Sequence, residues 1–107
     1  MKRSDLVTVV LPGDLGKPRP AVILQSDLFP HSLTVVVAPM TSEISDVPFA
    51  RITVYPTENN GLKKPTQIML DKITNLRREK VGRVIGSLEQ ARMEQVEKAL
   101  TILLGLG

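Results

Sequence analysis

The sequence lacks cysteine and tryptophan and contains two phenylalanines, one tyrosine and one histidine among 107 residues. Without cysteine there are no disulfides, no thiolate metal sites and no cysteine nucleophile, which is compatible with a reducing cytoplasm. Because aromatic residues are scarce, the core has to be built from valine, isoleucine and leucine. No apolar run approaches the roughly 18 residues that a membrane span needs. We therefore expect a cytoplasmic protein without a membrane segment.

The N-terminus does not have the pattern of a secretory signal. Its apolar run, Leu6–Leu11, is short, contains Thr8, and is closed by Pro12-Gly13. A small-residue cleavage pattern is missing. With 42% hydrophobic residues, the chain fits one compact domain over residues 1–107.

Positive charge is concentrated in the middle of the chain. The net charge is +3, and residues 51–86 hold eight lysines and arginines against three acidic residues. A basic region of this kind is typical of proteins that bind a polyanion or an acidic peptide. A solvated charged face is the alternative interpretation.

Short apolar runs separated by turn signals predict a small β-rich fold. The runs are rich in β-branched residues and too short for helices, so we interpret them as strands. Their spacing indicates a small, strongly curved sheet or barrel. The predicted strands are Leu6–Leu11, Ala21–Gln25, Thr34–Ala38 (closed by Pro39), Ala50–Tyr55, Thr66–Leu70 and Val81–Ile85.

The C-terminal segment has a different periodicity, which predicts one amphipathic helix. Ser87 followed by Gln90 matches a capping box, and Gly105 predicts the end of the helix. Apolar residues then recur at near-helical spacing and would face the sheet. They are Leu88, Ala91, Val96, Leu100, Leu103 and Leu104.

A proline-stiffened segment, Lys17-Pro18-Arg19-Pro20, leads directly into the apolar run Ala21-Val22-Ile23-Leu24. Proline fixes φ and disfavours helical geometry in the preceding residue, so Arg19 is held at the start of a strand. A guanidinium in that position presents a planar set of donors suited to phosphate. A solubilising arginine at a strand start is the alternative.

In order and spacing, three segments resemble the MazF/PemK family of toxin endoribonucleases. The resemblance covers nearly the whole chain. The segments are Asp5–Leu24 with its Lys17-Pro18-Arg19-Pro20 loop, Val37–Ser42 with Pro39-Met40-Thr41-Ser42, and Ile68–Leu106 with Ile68-Met69-Leu70-Asp71-Lys72-Ile73 and Val81-Gly82-Arg83-Val84-Ile85-Gly86.

The resemblance implies a mainly β (α+β) fold: a small, curved SH3-like β-barrel with a C-terminal helix, usually in a homodimer. It implies the toxin of a type II toxin-antitoxin system, which cuts single-stranded mRNA at short motifs and arrests growth. Such enzymes need no metal or other cofactor and leave 2′,3′-cyclic phosphate and 5′-hydroxyl ends. A cognate antitoxin holds them inactive with a disordered tail that covers the RNA-binding surface.

The resemblance also implies three catalytic residues. Arg19 matches the family's loop arginine and would bind the phosphate. Thr41 matches a threonine after the third strand and would contact a phosphate oxygen or orient the arginine; a turn threonine that caps its own backbone is the alternative. Asp71 would accept a proton or hold Arg19, or it would form an ordinary Asp–Arg bridge.

The same resemblance and the charge distribution suggest residues for RNA binding, whose affinity would fall with salt. They are Lys17, Ser42, Lys63, Lys64, Lys72, Arg77 and Arg78. Two departures from the family pattern stand out: Met69 replaces an arginine found in some relatives, and the Pro12–Pro18 loop lacks a histidine. The single histidine, His31, lies in a loop without a fixed catalytic role and is interpreted as a surface residue.

Two other functions stay open at this stage. The related CcdB toxins share the barrel but poison DNA gyrase, and Gln25-Ser26-Asp27 resembles them. That activity depends on a tryptophan near the C-terminus, which this chain lacks. A non-catalytic barrel that binds RNA or peptide is the third interpretation, because a fold does not fix an activity.

Overall fold

A computed structural model describes all residues, 1–107, as seven strands and one α-helix. Two single-turn 3₁₀ helices, Leu70–Lys72 and Arg78–Lys80, flank the sixth strand. The strands are β1 (Asp5–Val10), β2 (Pro18–Ile23), β3 (Thr34–Thr41), β4 (Arg51–Val54), β5 (Thr66–Met69), β6 (Thr74–Arg77) and β7 (Val81–Ser87), and the helix is α1 (Gln90–Leu104).

All strand pairs are antiparallel, and the sheet runs in the order β4-β5-β3-β2-β1-β7. β6 lies off this path and pairs with the first half of β3. The two ends of the path, β4 and β7, do not pair, so the sheet is curved but not closed into a barrel. The predicted mainly β fold with a C-terminal helix is confirmed.

Both faces of the sheet are covered, which explains the nearly continuous apolar runs. Leu6 and Val7 are adjacent and fully buried, yet they belong to different core clusters. Successive side chains of a strand point to opposite faces, so each run supplies both clusters. The larger cluster includes Met40, Ile68 and Val96 and packs under the helix.

The predicted strand Thr34–Ala38 ended too early, and the strand β6 was not predicted. β3 continues through Pro39 to Thr41. Proline is tolerated there because β3 changes partners at this point: its last pair with β6 is at Val37 and its first pair with β5 is at Met40. β6 was missed because its sequence, Thr-Asn-Leu-Arg, carries one large apolar residue. Pairing with β3 makes this segment a strand where its own sequence does not.

The helix was predicted, but its start and its buried face differ from the prediction. Ser87 lies in β7 and Glu89 is the N-cap, with no side-chain capping bond. Met93, Val96 and Ala99 form the buried face, whereas Ala91, Leu103 and Leu104 are exposed. Gly105 ends the helix as predicted, in the left-handed conformation that glycine favours. No helix is long and apolar enough to cross a membrane.

Candidate active site

The strongest candidate site is a cavity of about 530 Å³, called here the Arg19 cavity. Arg19 and Thr41 both line it, although 22 residues separate them in the sequence. Pairing of β2 with β3 brings them together, since Ala21 lies opposite Pro39. The remaining lining residues are Leu11, Pro12, Asp14, Pro39, Glu43, Ser45, Arg51, Met69, Lys72 and Thr74.

Arg19 is held in the cavity by Asp14, a residue that the sequence analysis did not select. Nε of Arg19 donates to Oδ2 of Asp14 at 2.8 Å. Its two terminal nitrogens make no hydrogen bond within the chain and are free to donate to a ligand. The only signal for Asp14 in the sequence is an opposite charge five residues before Arg19, across a short loop.

Thr41 ends β3 and is nearly buried. Its Oγ1 accepts a hydrogen bond from the backbone N–H of Glu43 at 3.1 Å, which is the turn contact considered as an alternative above. This bond uses a lone pair of the hydroxyl and not its proton. Thr41 can therefore cap its turn and still donate to an oxygen in the cavity.

Asp71 binds Arg51 and not Arg19. Nε and Nη2 of Arg51 donate to its two carboxylate oxygens at 2.8 and 3.1 Å. These bonds lower the pKa of Asp71 below its ordinary value, against a smaller opposing effect of burial, and they raise the pKa of Arg51. Arg51 is brought to Asp71 because it pairs with Met69 across β4 and β5. Asp71 does not line the Arg19 cavity, whereas Arg51 does.

A second depression, called here the basic groove, adjoins the Arg19 cavity and shares Arg19 and Thr41 with it. Four predicted RNA-binding residues line it: Lys17, Ser42, Lys63 and Lys64. Arg83, which the sequence did not predict as an RNA-binding residue, lines the groove as well. With Arg19 and the three lysines, the groove has five cations and no carboxylate. Lys72 lines the Arg19 cavity instead.

Arg77 and Arg78 lie elsewhere. Arg77 pairs with Thr34 at the opposite end of β3 from Thr41, roughly 23 Å away at the usual rise per strand residue. Arg77 forms an exposed ion pair with Glu79, while Arg78 donates to the backbone oxygens of Ser32 and Phe29. The structure does not place these two arginines with the Arg19 cavity. No group of three or more histidine, cysteine, aspartate or glutamate residues is arranged to hold a metal ion.

Comparison with known proteins places the whole chain in one group. Residues 2–104 match the family described as "PemK-like, MazF-like toxin of type II toxin-antitoxin system". The chain is 36% identical over 107 residues to the probable endoribonuclease MazF of Mycolicibacterium smegmatis, covering 99% of this chain and 98% of that protein.

Solved structures give the same result for the fold. Mycobacterium tuberculosis toxin MazF-mt6 superposes with a TM-score of 0.83 at 25% identity, covering 96% of this chain and 98% of that one. An endoribonuclease in complex with its cognate antitoxin from a mycobacterial species also gives a TM-score of 0.83, at 20% identity, covering 100% of this chain and 97% of that one.

Proposed function

Because the chain belongs to the PemK-like, MazF-like toxins of type II toxin-antitoxin systems, we propose that it is a sequence-specific endoribonuclease that cuts single-stranded mRNA in the cytoplasm and arrests growth. Residues 1–107 act as one toxin domain. One observation carries the proposal beyond the family: the free terminal nitrogens of Arg19 face a cavity that adjoins a groove with five cations and no carboxylate.

The cavity supplies groups for cleavage by the RNA's own 2′-hydroxyl. The 2′ oxygen forms a bond to phosphorus, the bond from phosphorus to the 5′ oxygen breaks, and the products carry a 2′,3′-cyclic phosphate and a 5′-hydroxyl. Arg19 and the Thr41 hydroxyl stabilise the charge that builds on the phosphate oxygens. The 2′-hydroxyl proton passes to a carboxylate that lines the cavity, Asp14 or Glu43. The leaving 5′ oxygen is protonated from water or from the protonated carboxyl group. No step requires a metal ion.

The basic groove is the path of the RNA backbone on one side of the cut. Lys17, Lys63, Lys64 and Arg83 place positive charge along it. Contacts of this kind bind phosphates without reading the sequence. The hydroxyl of Ser42 also lines the groove and is available to a base. The Thr66 hydroxyl donates to the backbone oxygen of Lys64, and Oγ1 of Thr8 accepts from the backbone N–H of Arg83.

A cognate antitoxin inhibits the enzyme by covering the same surface. A disordered acidic or amphipathic tail would meet the five cations of the basic groove and exclude RNA from Arg19. The family description, a toxin of a toxin-antitoxin system, supports such a partner.

The protein forms a homodimer through an apolar face that lies away from the basic groove. A groove of about 490 Å³ lies between the β2–β3 loop and the end of α1, and six of its ten lining residues are apolar: Leu24, Phe29, Val36, Ile73, Leu100 and Leu104. Leu28 and Leu33 beside it are more than four-fifths exposed. A contiguous apolar face of this kind marks an interaction site.

The decisive experiment compares the purified protein with Arg19→Ala on long single-stranded RNA in excess EDTA. We expect discrete cuts with 2′,3′-cyclic phosphate and 5′-hydroxyl ends from the native protein. The variant should lose at least 100-fold in rate, because one charge-stabilising donor is worth about 2.7–4 kcal/mol in a transition state. Circular dichroism of the variant should match the native protein. RNA that stays intact, or equal cutting by both proteins, would contradict the proposal.

A further inference from the structure

A third depression, called here the Phe49 groove, meets the Arg19 cavity at Arg51, which lines both. It has a volume of about 490 Å³, large enough for a nucleotide, and lies between β4 and one side of α1. Arg51, Arg92 and Lys98 line it, and no carboxylate does. The groove therefore extends positive charge from the edge of the cavity in a direction that the basic groove does not cover.

Phe49 places an aromatic ring on the wall of this groove. Its side chain is 66% exposed, although phenylalanine is among the residues most often buried. Its φ of 64° is a left-handed conformation, which is strained for a residue with a side chain. An exposed ring in a strained backbone contributes nothing to the core. Such a ring is a surface on which a base can stack.

Arg51 is fixed at the boundary between the two depressions. Asp71 engages Nε and Nη2, so the planar guanidinium has a defined orientation, and Nη1 makes no hydrogen bond within the chain. The side chain is only 11% exposed, so little side-chain freedom remains to be lost when a ligand binds. A guanidinium held in this way suits a phosphate oxygen.

We propose that the Phe49 groove is a nucleotide subsite, in which Phe49 stacks on the base of a nucleotide adjoining the cut and Arg51 binds that nucleotide's phosphate. The inference rests on the proposed function in one respect: the same RNA strand occupies the Arg19 cavity. Arg92 and Lys98 attract the strand as it leaves the subsite. Because stacking tolerates every base, this subsite adds affinity and register more than sequence selection.

The occupant is RNA because the groove borders, at Arg51, the cavity that binds the cleaved phosphate, and because the charged residues that line the groove are all positive. An acidic peptide would satisfy the charges equally well. It would not need an aromatic ring next to a fixed guanidinium, and this combination favours a nucleotide. The experiment below separates the two.

The test uses Phe49→Leu, which keeps an apolar side chain and the same backbone strain but removes the aromatic ring. The substrate is a short RNA centred on a mapped cut, together with copies that carry one abasic nucleotide at each position in turn. We expect kcat/KM on intact RNA to fall roughly 10-fold, the effect of losing one stacked base. On the copy that is abasic at the stacked position, the variant and the native protein should cut equally.

Arg51→Ala is tested on copies in which one phosphate at a time is a neutral methylphosphonate. On unmodified RNA, kcat/KM of this variant should be roughly 30-fold below that of the native protein, the effect of losing one charge-assisted hydrogen bond. On the copy whose neutral phosphate lies next to the stacked nucleotide, the two proteins should cut equally. Tyr55→Leu is the matched control, because Tyr55 is equally exposed but lines neither groove nor the cavity. A loss for Phe49→Leu no larger than for this control, or a loss equal on every abasic copy, would overturn the inference. The inference would also be overturned if Phe49→Leu and Arg51→Ala left RNA cleavage unchanged and weakened only the binding of an acidic peptide.

Failure of the proposed function would be recognised separately, because the native protein would then leave all RNA intact. In that case the three variants are titrated with a 12-nucleotide oligouridylate followed by fluorescence anisotropy. The subsite predicts that Phe49→Leu binds this RNA more weakly. For Arg51→Ala, the slope of log K against log salt concentration should be smaller in magnitude by about 0.7, the value for one lost contact to a single-stranded phosphate. Identical titrations for all variants would overturn the subsite as well.

Discussion

At the scale of single residues, the Arg51–Asp71 pair makes stability depend on pH. The hydrogen bonds from Arg51 lower the pKa of Asp71 below its ordinary value of about 3.9. The folded protein therefore binds fewer protons than the unfolded chain at acid pH. The pair stabilises the fold above about pH 4, and this contribution is lost as the pH falls further, through the lowered pKa.

Asp71→Asn should accordingly reduce the free energy of unfolding by about 1 kcal/mol at pH 7, since the pair is bidentate and partly buried. The gap between the variant and the native protein should narrow as the pH falls through the lowered pKa of Asp71, because the native carboxylate is protonated over that range. Urea unfolding at pH 7 and at successively lower pH values measures the gap. A gap of constant size would show that the pair contributes nothing through its charge.

At the scale of elements, the connection between β4 and β5 packs directly on β7. A Cβ at Gly86 would overlap the backbone of Asn59 and Asn60, and Asn60 is fully buried with its side chain bonded to Tyr55 and Glu89. Gly86→Ala should cost about 3 kcal/mol, because a buried backbone has to shift. Gly13→Ala, where nothing lies near, should cost only about 1 kcal/mol through its positive φ. Equal decreases in the melting temperature of the two variants, relative to the native protein, would contradict this packing.

At the scale of the whole molecule, the exposed apolar face predicts a change in oligomeric state. Leu104→Lys places a charge in the groove between α1 and the β2–β3 loop without touching the buried core, since Leu104 is 52% exposed. We expect the native protein to sediment as a dimer and the variant as a folded monomer, because an unpaired buried charge is costly at an interface. The same mass for both proteins would rule out this face.

The sequence by itself determined the fold class, the strand that follows the Lys17-Pro18-Arg19-Pro20 segment, and the C-terminal helix with its end at Gly105. These features depend on local properties: β-branched runs that are too short for helices, a proline-fixed strand start, and a glycine that accepts a left-handed backbone. The family resemblance added the order of the segments, and the comparisons bear out that assignment.

Tertiary structure alone decided which charged groups meet. Asp14 reaches Arg19 through a loop, and Asp71 binds Arg51 because β4 lies beside β5, 20 residues away in the chain. Pairing with β3 gives β6 its structure and separates Arg77 from the site. Contacts of this kind depend on register between distant strands, because a shift of one residue turns each side chain to the other face. No local pattern in the sequence encodes that register.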